Sequence, residues 1–301
     1  MKKGKELQGS LYVIFAAMLW GIIGIFTRHL TQYGIESIRD TFLRNFIAAA
    51  GMTILILLKD RSLFRIRPKD LWMFLGTGIC SIVFFNICYF KAIELTTMSL
   101  AAVLLYTAPC FVMLLSAACF HEKITKVKLI ALVLSFTGCI LCCGLFGSKL
   151  RLPLQGLLLG IGAGLGYALY SIFGTFALKR YDTFTITFYT FLIAALSLLP
   201  SAGAGTFHAL TSGGLPAWSW GLLFGIVSTL CPFILYTKGL QRLEAGKASI
   251  LAFVEPLMAT LCGFLVYHET LSLSSIIGIL LIFGSVLLLN ARKDKAARDA
   301  A

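Results

Sequence analysis

Glu255 is the residue through which this 301-residue chain is best placed to do chemistry. It lies in the apolar run Leu251-Ala252-Phe253-Val254-Glu255-Pro256, one position before a proline. Near the middle of a bilayer-length segment, an ionised carboxylate costs on the order of 3 kcal/mol or more. Such a group could exchange a proton or hold a substrate amine. It could equally act as a protonated, hydrogen-bonded brace for the bend at Pro256, and both readings stand. Arg44 also has two readings. Four or five residues into its segment, it could snorkel to the outer headgroups or serve as a substrate or coupling residue. Trp20, Tyr89, Tyr106, Tyr167, Tyr170 and Tyr236 carry rings, most with polar tips, that suit a cavity for amphipathic solutes or cations. They would also serve as packing or interface-belt residues. Asn86 could add a polar contact.

Other chemistries lack their residues. His121-Glu122 and His268-Glu269 are not zinc sites, because no second histidine follows at H-E-x-x-H spacing. Gly246-Lys247 is followed by Ala248 and lacks the upstream glycine of a phosphate-binding loop, which argues against direct ATP-driven work. No G-x-S-x-G elbow or aspartate-rich metal loop occurs, so no catalytic residue, metal or cofactor is expected. The nine cysteines all fall in apolar segments, and Cys139-x-x-Cys142-Cys143 is read as packing rather than redox chemistry, since a thiolate there is poorly solvated.

The elements that must position these residues are long apolar blocks. Hydrophobic residues make up 58% of the chain, charged ones 13%, and mean hydropathy is +0.90. A soluble surface needs about 25% charged residues. Ten blocks approach the roughly 20 residues that span a bilayer: 11–30, 38–58, 71–91, 97–119, 127–146, 153–176, 183–203, 218–240, 246–266 and 273–290. The expected fold is therefore all-α and polytopic. The first block follows a basic start, as a secretory signal does, but its spanning length and its counterpart at 158–177 mark it as the first helix.

The net charge of +13 suggests nucleic acid until its distribution is read. With ten crossings, 20 of the 26 Lys and Arg fall on one side, with the termini, and five (Arg28, Arg39, Lys91, Lys149 and Arg151) on the other, with Arg44 inside a span. That bias predicts cytoplasmic termini and no nucleic-acid partner. The basic 59–69 loop is a topology signal first and an anionic-lipid or partner site second.

Residues 89–122 and 236–269 are two copies of one pattern at a constant offset of 147, without a gap. Tyr89 matches Tyr236, Lys91 matches Lys238, Pro109 matches Pro256, and His121-Glu122 matches His268-Glu269. The offset extends to Trp20 with Tyr167 and Ser81 with Ser228. Two repeats are expected, over 1–147 and 148–301. Five spans per half is an odd number, so the second copy enters the membrane from the opposite side. Inverted halves supply related inward-open and outward-open conformations, the logic of alternating access. Pro109 and Pro256, near the middles of the fourth and ninth blocks, are hinge candidates because each removes a backbone hydrogen bond. The pairs Gly160/Gly164 and Gly162/Gly166 permit close helix approach.

A mid-helix proline followed thirteen residues later by glutamate, in both halves, resembles the drug/metabolite transporter superfamily, specifically its EamA branch. The first copy reads Ala101-Ala102-Val103-Leu104-Leu105-Tyr106-Thr107-Ala108-Pro109, ending at Glu122; the second reads Ala248-Ser249-Ile250-Leu251-Ala252-Phe253-Val254-Glu255-Pro256, ending at Glu269. Arg44 matches an arginine often seen in that family. His121 and His268 depart from it, standing where the family usually has glycine. The resemblance implies ten helices in the plasma membrane, cytoplasmic termini, and secondary export of small metabolites or amino acids, by proton coupling or exchange. Passive permeation or lipid scrambling, and a membrane-embedded enzyme, are the alternatives. A homodimer is left open, and the lipid bilayer is an expected partner.

Overall fold

The computed structural model describes residues 2–144 and 153–298, and every regular element among them is helical. Lys149 and Arg151, counted above on the outer side, lie outside the described residues. Helices are what apolar runs of this length must form in lipid, because each backbone N–H and C=O has to find its partner within the segment.

The first span is α1 (Lys2–Gly21) continued by α2 (Ile23–Thr31), and the second is α3 (Ile38–Lys59). The third combines α4 (Leu71–Leu75), a π-helical stretch Gly76–Val83 and α5 (Phe84–Leu95). The fourth is broken into α6 (Met98–Leu105) and α7 (Ala108–Phe120), and α8 (Lys126–Cys142) follows. The second half runs α9 (Leu154–Leu178), α10 (Thr183–Leu198), a π stretch Leu199–Gly203, α11 (Ala204–Gly225), a π stretch Ile226–Leu230 and α12 (Cys231–Leu240). It closes with α13 (Ala245–Leu251), α14 (Val254–Tyr267) and α15 (Leu273–Arg298).

Eight stretches among the described residues are long and apolar enough to cross a membrane. Two differ from the ten blocks of the sequence. At 17 residues, α8 is about 26 Å long, just under the hydrocarbon thickness of about 30 Å. The stretch Thr183–Leu240 is helical almost throughout, where the sequence predicts a gap between 203 and 218. It nevertheless doubles back. Gly214 takes φ 63°, ψ −154°, a conformation glycine adopts freely. The rings of Phe191 and Phe233 meet at 5.1 Å, whereas a straight helix would hold them about 60 Å apart.

The backbone repeats where the side chains do. The fourth span breaks at Tyr106-Thr107 and its counterpart at Ala252-Phe253. His121 and His268 both cap their helices in the left-handed region, at φ 57° and 54°. That is the geometry for which helices ordinarily use glycine, which accounts for the residue type the histidines replace. Pro109 and Pro256 stand in the first turns of α7 and α14, after the breaks. A missing N–H there costs nothing, so the interruption itself, rather than a bend at the proline, shapes these spans.

Packing follows the same scheme. Helix α1 packs on α12 as α9 packs on α5, and the equivalent helices α3 and α10 pack on each other. So do α8 and α15, through Ser135 with Ser285, Gly138 with Gly278 and Ile282, and Cys142 with Ser275. Along that contact one number rises as the other falls, so the two helices are antiparallel. A Cβ on Gly138 would lie 2.7 Å from the Gly278 carbonyl oxygen, so glycine is required at this crossing.

Candidate functional site

The breaks and π stretches gather the chemistry-bearing residues at one place. Because α14 starts at Val254, Glu255 falls in its first turn, beside the break and only partly buried. A carboxylate in a first helical turn faces the positive end of the helix dipole. Tyr167 on α9 donates its hydroxyl to Glu255 Oε2 at 3.2 Å. Tyr106, at the break of the fourth span, Arg44 and Tyr89 lie within electrostatic range of Glu255. The Tyr106 ring stacks on Phe253 at 5.6 Å.

Aromatic rings form the wall. Trp20 meets Tyr167 at 6.2 Å, Phe233 at 5.1 Å and Tyr236 at 5.3 Å, and Phe85 connects Tyr167 to Tyr89. Their polar tips are tied back: Tyr170 shares a hydrogen bond with Thr237 at 2.7 Å and Tyr236 one with Ser171 at 2.8 Å. All nine substrate or coupling candidates thus belong to one connected cluster. Between Trp20, Ser81, Phe85, Tyr167, Tyr170 and Tyr236 lies a cavity of about 20 Å³. That holds about one water molecule, whereas small-molecule sites need roughly 300 Å³. The cluster is collapsed in this conformation.

Arg44 corrects one expectation. It does not snorkel: it is 9% exposed, and its Nη2 donates to Asn86 Oδ1 at 2.9 Å, an oxygen that also accepts from Thr41 Oγ1 at 3.2 Å. Asn86 is held in turn by Nδ2 donating to the Ile82 carbonyl at 2.7 Å. Arg44 therefore faces the bundle interior. Counting depth along α3 could not reveal which neighbour its side chain meets.

One residue went unremarked in the sequence, and one pair stood out only as a repeat match. Asp40 is a buried carboxylate one turn before Arg44, with Oδ1 lacking a hydrogen-bond partner. The spacing Asp40-x-x-x-Arg44 was its visible signal. Ser81 and Ser228 are repeat-equivalent, lie in the π stretches Gly76–Val83 and Ile226–Leu230, and bury hydroxyls with no hydrogen-bond partner. Ser81 borders the cavity. π-Helical turns concentrate at working sites, but periodicity does not announce them. Among the described residues no group of three or more His, Cys, Asp or Glu could hold a metal ion, and all nine cysteines are free.

The model of the EamA-like transporter family matches residues 7–143 and, a second time, 154–291. This chain belongs to that family, within the drug/metabolite transporter superfamily. It is 31% identical over 281 residues to an uncharacterized transporter of Archaeoglobus fulgidus, covering 93% of this chain and 95% of the relative. It is 26% identical to the uncharacterized inner membrane transporter YicL of Salmonella typhimurium, covering 99% and 100%. A solved structure of 20% identity matches with a TM-score of 0.78 over 95% of this chain and 98% of its own, which shows the fold. The protein is thus a membrane transporter of the EamA-like family.

Proposed function

We propose that this EamA-like protein is a secondary exporter of small metabolites or amino acids, working by alternating access between two inverted five-span repeats. In this reading the chain crosses the plasma membrane ten times: the stretch Thr183–Leu240 supplies two crossings, α8 is a short one, and both termini are cytoplasmic. The antiparallel crossing of α8 with α15, and the matched exchange of partners between halves, support the inversion.

One asymmetry carries the reading. Glu122 reaches across to the second half and accepts hydrogen bonds from Ala245 N at 2.8 Å and Gly246 N at 3.1 Å, at the start of α13. Lys128 lies 3.7 Å from Glu122 and 2.6 Å from Glu244. Glu269 is its repeat equivalent, and the amides facing it by symmetry are those of Met98 and Ser99. Glu269 instead pairs with Arg28 at 3.2 Å in the open, 58% exposed against 11% for Glu122. Correspondingly, α7 packs on α13 while α14 and α6 make no comparable contact. Near-identical parts are thus latched at the end carrying the basic loops and released at the other. Exchange of the two latches would open the first end and close the second, which is the move alternating access requires. A passive pore has no use for such a pair.

Comparative metabolomics of the medium from deletion and overexpression strains tests the export assignment. One compound class should accumulate outside on overexpression and inside on deletion, with Glu255→Gln abolishing the change. A shift that persists undiminished in a transport-inactive, correctly inserted variant would reflect membrane stress and end the assignment.

A further inference from the structure

The end of the bundle that carries the basic loops also contains a hollow with a volume of about 450 Å³, between Arg65, Ile66, Arg67, Asp70, Arg180 and Tyr181. Its charges are not balanced. Asp70 is buried and already committed to two partners, the Arg180 guanidinium and the Tyr181 hydroxyl at 2.6 Å. Tyr181 accepts from the Arg67 backbone N–H at 3.0 Å, which ties the loop before the third span to the turn that follows α9. With Asp70 occupied, Arg65 and Arg67 are exposed and line the hollow, and among the described residues no carboxylate pairs with either. Asp60, five residues before Arg65, is turned back on Ser62, accepting from its N–H at 2.8 Å and its hydroxyl at 2.6 Å, and Asp182 accepts from the Phe184 N–H at 2.9 Å. Three guanidiniums against one carboxylate leave a concave surface of about two net positive charges. Planar five-donor guanidiniums match the oxygens of a phosphate.

What lies beside the hollow indicates where the phosphate comes from. Directly after Pro68, the third span presents Leu71, Trp72, Leu75 and Ile79 outward, at the spacing of one helix face, each 38–45% exposed. Trp72 is anchored edge-on against Phe173 and Phe176. An amphipathic ring at headgroup level above an apolar stripe is how a span meets the edge of a bilayer. A molecule with its phosphate in the hollow would have its apolar part running along this stripe. The geometry points to a phosphate-bearing anionic lipid, bound by Arg65, Arg67 and Arg180 with its chains on Leu71, Trp72, Leu75 and Ile79. This extends beyond the transport reading and would hold whatever the cargo is.

Native mass spectrometry of the purified full chain with phosphatidylglycerol, phosphatidylcholine or inorganic phosphate tests it. Retention of phosphatidylglycerol should exceed that of phosphatidylcholine. Arg65→Gln with Arg67→Gln should cut that preference by on the order of fivefold per arginine, about 25-fold for the pair. Lys123→Gln with Lys126→Gln, at the same end of the bundle but outside the hollow, should leave it nearly intact. An equal loss in the lysine variant would mean diffuse surface attraction and overturn the site. So would displacement of phosphatidylglycerol by millimolar inorganic phosphate, which would assign the hollow to a soluble anion. A melting temperature in phosphatidylcholine equal to that of the parent checks that the arginine variant is folded.

Discussion

Removing Glu122 should unlatch the end of the bundle that carries the basic loops. In Glu122→Ala the amides of Ala245 and Gly246 lose hydrogen bonds of 2.8 and 3.1 Å to a carboxylate that is only 11% exposed. Hydrogen bonds to a charged group contribute roughly 1.5–3 kcal/mol each. Water entering the gap restores part of this, so a net loss of about 3 kcal/mol is expected. Lys128 is not stranded by the change, because Glu244 holds it at 2.6 Å. At about 1.4 kcal/mol per factor of ten, the latched conformer should lose about 100-fold relative to its alternative. Hydrogen exchange reads this directly. Amides at the start of α13 should exchange on the order of 100-fold faster in Glu122→Ala. Glu269→Ala should leave them unchanged, since Glu269 is exposed and pairs with Arg28 on α2. Unchanged exchange in Glu122→Ala, or an equal effect from Glu269→Ala, would refute the latch.

Three further outcomes follow from the packing. Glu255→Gln keeps a hydrogen-bonding group beside Tyr167, so the protein should fold while transport falls by at least about tenfold; equal transport by variant and parent at every pH would assign Glu255 to bracing. Asn86→Ala leaves the buried Arg44 Nη2 without its 2.9 Å acceptor, and should destabilise by about 2 kcal/mol in a thermal melt; an unchanged melt would show that Arg44 finds another partner. Gly138→Ala forces a methyl to within 2.7 Å of the Gly278 carbonyl oxygen and should cost about 1–3 kcal/mol, whereas Gly24→Ala, where a Cβ meets nothing within 4 Å, should be tolerated.

What the sequence discloses here is whatever is written at constant offset or in long apolar runs. The helices, and the match of Tyr89 with Tyr236 and of His121 with His268, are of that kind, because burial in lipid fixes the element and duplication copies it. The sequence placed a gap between 203 and 218; helix fills most of that stretch, but two helical segments meet there at the bend of Gly214. The cluster around Glu255 was legible as a set of residue types and not as contacts. Tyr167 reaches Glu255 across 88 positions, and no periodicity encodes such a distance. Arg44 misled because residue depth says nothing of rotation about the helix axis. The latch was invisible for a different reason: Glu122 and Glu269 are identical in sequence context, and only a conformation that breaks their symmetry separates them.

Counterflow in sealed vesicles tests the central account most directly. The compound whose export changes with expression should enter vesicles faster when the same compound is preloaded inside. A carrier with alternating latches returns faster loaded than empty, and its uptake saturates. Glu255→Gln should abolish this stimulation. Uptake that rises linearly with concentration and ignores preloading would contradict alternating access and describe a passive path instead.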